Sequence, residues 1–221
     1  MKAFVKALLV GIAAIALFAG SANAATVIDF GTGSAGAGGT INIGVDVTGS
    51  GIFIDTVTIT GAPMNNGVYD VDGPGVCPAT FDGSCGVLSF DRNLNTITLL
   101  GSIPALGVGG FPFPGFFGSI NLLSGDFSGF FNVLLNNGVV GSISASGKDA
   151  KARELLLAIG LSPATQFTYF GFTTGVNPTG QGSPYTAIST DITNTAAPEP
   201  GSMLLLGSGL TALALRRRRS T

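Results

Sequence analysis

Four aspartates, Asp70, Asp72, Asp82 and Asp91, fall within 22 residues around two cysteines, Cys77 and Cys85. Two carboxylates could act as acid and base in glycoside hydrolysis if the fold set them ~5–9.5 Å apart. Aspartates in turns account for the same residues more simply, because their side chains bond to neighbouring backbone. Asp70-Val71-Asp72-Gly73 starts like a calcium loop but lacks the later ligands and the distal bidentate glutamate. The expectation is no cofactor, with calcium held by further loop carbonyls as the alternative. Seven residues lie between Cys77 and Cys85, and no other cysteine exists. Two thiols without histidine do not fill a zinc site. A disulfide closing that short loop would stabilise by ~2.5 kcal/mol on the chain-entropy model.

No histidine occurs anywhere in the 221 residues. That excludes Ser-His-Asp and Cys-His nucleophilic arrangements and histidine-based metal sites. Glu154, the one glutamate between the two ends of the chain, sits on an expected helix and faces solvent there. A catalytic role is therefore not expected, and an aspartate-pair hydrolase remains the enzymatic alternative. Phe111, Phe113, Phe116 and Phe117, interleaved with Pro112 and Pro114, form the most unusual internal segment. The prolines exclude a central strand. Four phenylalanines on a loop are a candidate binding surface for a polymer or protein; burial as a cover over one end of the fold is the cheaper reading.

These residues must be positioned by strands. Residues 26–30 and 41–47 alternate apolar and polar side chains, with Ile41, Ile43, Val45 and Val47 on one face. Residues 52–60 continue the pattern, and 87–90 with 95–100 read as a hairpin. Residues 127–135 and 139–144 flank Asn136-Asn137-Gly138, a strong hairpin signal. Residues 167–173 and 185–192 are the last strands. One helix is expected: Ser146 as cap, Asp149 facing Arg153 at i,i+4, then Ala152, Leu155, Leu156 and Ile159 at helical spacing, stopped by Gly160 and Pro163. The expected fold is all-β: an antiparallel β-sandwich, a jelly roll being one form of it, with one packed α-helix. Thr56, Thr58 and Thr60 with Thr96 and Thr98 would suggest a flat ice-binding face, but the array is too short to carry that reading.

The two ends have a different character. Lys2 and Lys6 precede an apolar stretch over residues 7–20, and Ala22-Asn23-Ala24 forms a small-x-small cleavage site. A signal helix over 1–24 is expected, cut by signal peptidase to leave Ala25 first. At the other end an apolar run over 201–215 precedes Arg216, Arg217, Arg218 and Arg219. As a helix it spans only ~22 Å against a ~30 Å hydrocarbon core. Its six leucines favour insertion by ~2–4 kcal/mol, and the arginines hold that end in the cytoplasm. Pro198 and Pro200 keep the chain extended around Glu199, accessible to a protease.

Pro198-Glu199-Pro200, Ser202, the leucine-glycine run from Leu204 to Leu210 and the arginine cluster together resemble the PEP-CTERM sorting signal of exopolysaccharide-producing bacteria. The same kind of tail is also called an ice-binding-protein C-terminal domain, a name that describes the tail alone. The resemblance is confined to the last 25 residues or so and implies export, a membrane tether and cleavage near Pro-Glu-Pro by an exosortase. The usual residue before the first proline is valine; here it is Ala197.

The expected organisation is a signal peptide (1–24), a secreted β-sandwich domain (25–192), a linker (193–197) and a sorting signal (198–221) containing the membrane helix. Between the ends the chain carries eleven acids against Arg92, Lys148, Lys151 and Arg153, so nucleic acid is not an expected partner. The expected function is that of an exported bacterial surface or extracellular-matrix protein. It starts at the inner membrane and ends at the cell surface or outside. Its role is structural or exopolysaccharide-binding, with a hydrolase or an ice-binding protein as alternatives.

Overall fold

The computed structural model describes residues 25–36, 38–77, 83–109, 118–136, 140–178 and 184–196. The described chain is mostly strand: β1 (Val27–Gly31), β2 (Gly38–Ile43), β3 (Val47–Ile54), β4 (Thr56–Thr60), β5 (Gly67–Asp70), β6 (Gly75–Val76), β7 (Ser84–Asp91), β8 (Thr96–Gly101), β9 (Ile120–Asp126), β10 (Phe131–Asn136), β11 (Val140–Lys151), β12 (Phe167–Pro178) and β13 (Tyr185–Ala196). A single 3-10 turn covers Pro104–Leu106, and one short helix, α1, covers Arg153–Ala158. The mostly-β expectation holds.

Every pairing among the described strands is antiparallel, and the pairings do not divide into two separate sheets. They run in a closed circuit, β9-β8-β7-β3-β2-β13-β12-β11 and back to β9. Closure rests on two twelve-residue strands that change neighbours along their length. The first part of β11 pairs with β10 and its last four residues with β9. β13 pairs with β2 near Tyr185 and with β1 from Asp191 to Thr195. β4 and β5 extend the sheet beyond β1, so β5 and β10 are its two terminal strands. The switch in β11 falls at Gly147, next to a register shift. A Cβ at that position would run into the Asp126 carbonyl, so only glycine lets β9 approach.

Alternation puts one continuous core inside the circuit, including Ile28, Phe30, Ile41, Leu88, Phe170 and Phe172. Phe90 of β7 meets Phe172 of β12 edge-on with ring centroids 5.3 Å apart, and Phe127 meets Phe131 at 5.2 Å. Offset and edge contacts of this kind add about 0.5–1.5 kcal/mol each beyond burial.

Several expectations are corrected, among them the run over 52–60, which breaks at Asp55 into β3 and β4, and the strand over 127–135, which begins only at Phe131. Residues 41–47 are not one strand: Gly44, Val45 and Asp46 form the turn between β2 and β3, and Val45 is 97% exposed. The Gly44 N–H donates to the Asp46 carbonyl (3.1 Å), and the Asn93 amide holds the Asp46 carboxylate. The helix does not begin at Ser146. Residues 146–151 belong to β11, where sheet pairing overrides the capping pattern. Ser146 Oγ accepts the Phe130 N–H (3.2 Å), and Asp149 pairs with Lys151 rather than Arg153. Finally, β13 runs to Ala196 through residues expected to form a linker.

Candidate functional site

The outward side chains of β5, β4, β1, β13, β12, β11 and β10 build one polar face. Cross-strand register lines up Asp70, Thr56, Gly31 and Asp191. The same line continues through Thr173, Ser144 and Asn132. A second line holds Val68, Thr58, Asp29, Thr193 and Gly171. Seven strands at ~4.8 Å spacing make the face ~29 Å wide. Its inward neighbours, Ile28, Phe30, Val57, Ile59 and Ile192, are fully buried. The two sides of these strands thus differ, and the outer one offers mainly small hydroxyls, carboxylates and bare glycine backbone, with Val68 and Leu134 as exposed apolar side chains.

Near the middle of the face, Asp29 on β1 and Asp191 on β13 hydrogen-bond each other. Gly31 stands directly opposite Asp191, leaving its side chain room to reach Asp29. The bond to Asp29, then partial burial, then like-charge repulsion push Asp191 up to about 6; the Thr193 hydroxyl opposes them. Thr193 also donates to Asp29 Oδ1 at 3.2 Å. Asp191 therefore holds a proton below about pH 6.

A second charged pair lies inside. Lys151 Nζ contacts Asp149 Oδ2, and neither side chain is exposed. The ammonium sits 4.8 Å from the Phe167 ring centroid and 5.9 Å from that of Phe30. Burial pulls Lys151 down to about 8 against the attraction of Asp149, and burial raises Asp149 against the attraction of Lys151. Asp149 Oδ1 has no hydrogen-bond partner among the described residues.

Cys77 and Cys85 are disulfide-bonded, with Cα atoms 6.0 Å apart and both side chains buried. The aspartates near them do not gather. Asp70 ends β5 opposite Thr56, while Asp72 bridges Ser102 through its backbone. Asp91 closes the other end of β7, accepting the Asn93 and Leu94 N–H groups at 2.8 and 3.0 Å. Gly86 binds the Val71 carbonyl, and at ~3.3 Å per residue Asp91 lies ~17 Å further along that strand. Asp82 lies outside the described residues, as do Phe111, Phe113, Phe116 and Phe117. Among the described residues no three His, Cys, Asp or Glu side chains converge as a metal site. None of these helices is long and apolar enough to cross a membrane.

Sequence reasoning passed over Asp29 and Asp191. They are 162 positions apart, and only the pairing of first and last strands joins them. That pairing also fixes the ends: the Ala196 N–H donates to the Thr26 carbonyl at 2.9 Å, so the last residue of β13 lies beside the residue preceding β1.

Residues 196–219 match the PEP-CTERM protein-sorting motif. The PEP-CTERM segment begins on the residue that completes β13 and carries Pro198, Glu199, Pro200 and the arginine cluster. The resemblance read from the sequence is thus confirmed and confined to the C-terminal segment. No curated protein and no solved structure matches the chain. Ala22, Ala24, Pro198, Glu199, Pro200 and Arg216 through Arg219 lie outside the described residues; Ala25 is the first described one and is exposed.

Proposed function

We propose that the protein is an exported bacterial surface or extracellular-matrix component whose polar β face binds exopolysaccharide without catalysis. In this reading signal peptidase removes residues 1–24, the helix over 201–215 tethers the chain to the inner membrane, and an exosortase releases it near Pro198-Glu199-Pro200. The observation that carries the reading is the PEP-CTERM motif starting at Ala196, against Thr26. The described chain thus begins and ends side by side, at Thr26 and Ala196. We also read the strand circuit as flattened into a sandwich, supported by Phe90 and Phe172 meeting across the interior.

The face suits a neutral, hydroxyl-rich polymer. It presents hydroxyl donors and acceptors and, above about pH 6, carboxylates that would repel a polyanion. A hydrolase would need carboxylates ~5–9.5 Å apart in a cleft. Asp29 and Asp191 lie diagonal to each other across the β1–β13 pairing on the outer side of the sheet, which favours the binding reading.

Co-sedimentation of residues 25–196 with exopolysaccharide from the host tests the binding role. Retention is expected, and Thr58→Phe or Thr173→Phe, which put bulk on the face without entering the core, should weaken it about tenfold, ~1.4 kcal/mol. No retention at any ionic strength would remove the binding role.

A further inference from the structure

We infer that the domain self-associates through β10, two copies pairing this strand antiparallel about a two-fold axis near Val133. Among the described strands β10 pairs only with β11, leaving its other edge open. Open edges are normally blunted by shortness, charge, proline or a bulge. The opposite terminal strand, β5, is four residues long and ends on Asp70. β10 has six residues in regular register with β11, with no proline and no charge. Phe131 and Val133 pack on the core, but apolar side chains remain exposed on both of its faces: Leu134 is 60% exposed and Leu135 41%, with Phe130 at 53% just before the strand.

Charge selects the occupant. The domain is acidic, so two copies repel over most of their surfaces. Residues 127–147 contain no Asp, Glu, Lys or Arg, and this hairpin is where two copies can meet without opposing carboxylates. An antiparallel self-pair places residues of like facing opposite each other. Centred on Val133, it sets Phe131 against Leu135 of the second copy on the inner side. On the outer side it sets Asn132 against Leu134, so both exposed leucines gain cover. The two polar faces then continue into one another, doubling the ligand surface. The strand pairing itself does not depend on the polymer-binding reading.

Sedimentation equilibrium on residues 25–196 tests this. That segment holds the whole described core, and its first and last strands pair with each other, so it serves as the folding unit. A monomer–dimer equilibrium with Kd ~10 µM is expected for so small a contact. Leu134→Lys and Asn132→Lys, both at exposed positions, should each raise Kd about tenfold or more by setting charge into the pair. Val68→Lys on β5 should leave it unchanged, and amide exchange across residues 131–135 should slow with protein concentration. A monomer at ~300 µM would overturn the inference. So would association that survives both β10 variants, that fails with Val68→Lys, or that grows without limit into filaments.

Discussion

Lys151 and Asp149 stand two residues apart on β11 and form an ion pair enclosed by the core, with the lysine ammonium over the Phe167 ring. Strand alternation turns both side chains inward, and Gly125 opposite Asp149 leaves room for the Asp149 Cβ, which a side chain at Gly125 would crowd. Desolvation outweighs mutual attraction for both groups, which is why their proton affinities move toward neutrality of each partner.

Removing one partner strands the other. Asp149→Ala or Lys151→Ala should lower unfolding free energy by about 3–5 kcal/mol, whereas Asp149→Leu with Lys151→Met should be near neutral or stabilising. Urea denaturation of the three variants measures this. Single variants no less stable than the double one would contradict the buried-pair account.

The lysine also predicts an alkaline effect. Its value drops from 10.5 to about 8 on folding, so between those limits the unfolded chain binds more protons. Stability from this group therefore rises with pH through that window. Comparing the wild type with Lys151→Met from pH 7.5 to 10 isolates the effect. The wild type should gain stability relative to the variant as pH rises.

On the outer face the sign reverses. Asp191 titrates at about 6 when folded, above its ordinary 3.8, so the folded state holds the extra proton. The contribution is complete below about pH 3.8 and is lost as pH rises through 6. Carboxyl NMR titration should show one group with a midpoint near 6, and Asp191→Asn should abolish it.

Reducing the Cys77–Cys85 bond should cost about 2–5 kcal/mol. Cys77→Ser with Cys85→Ser should match the reduced wild type in denaturation midpoint. Reductant should then have no further effect on that variant.

The strands legible in the sequence were those with clean alternation, such as β1, β4, and the β7–β8 hairpin. β9 escaped because a register shift beside Leu100 puts Leu122 and Leu123 inside consecutively, which breaks the period of two. Residues 146–151 read as a helix start because Ser146 and Asp149 match a capping pattern, and only the β9 and β12 pairings override it. The sorting segment was fully legible, since its signal lies in contiguous residues. The polar face was not: Thr56, Thr58 and Thr60 could be seen as one row. Their continuation through Asp29, Asp191, Thr193 and Thr173 depends on strand order, which periodicity does not encode.

Intact-mass measurement of the extracellular protein, with both termini sequenced, tests the central claim most directly. A chain beginning at Ala25 and ending close to Pro198-Glu199-Pro200 is the predicted result. Extracellular material that still carries Arg216 through Arg219 and Thr221 would contradict delivery by a cleaved tether.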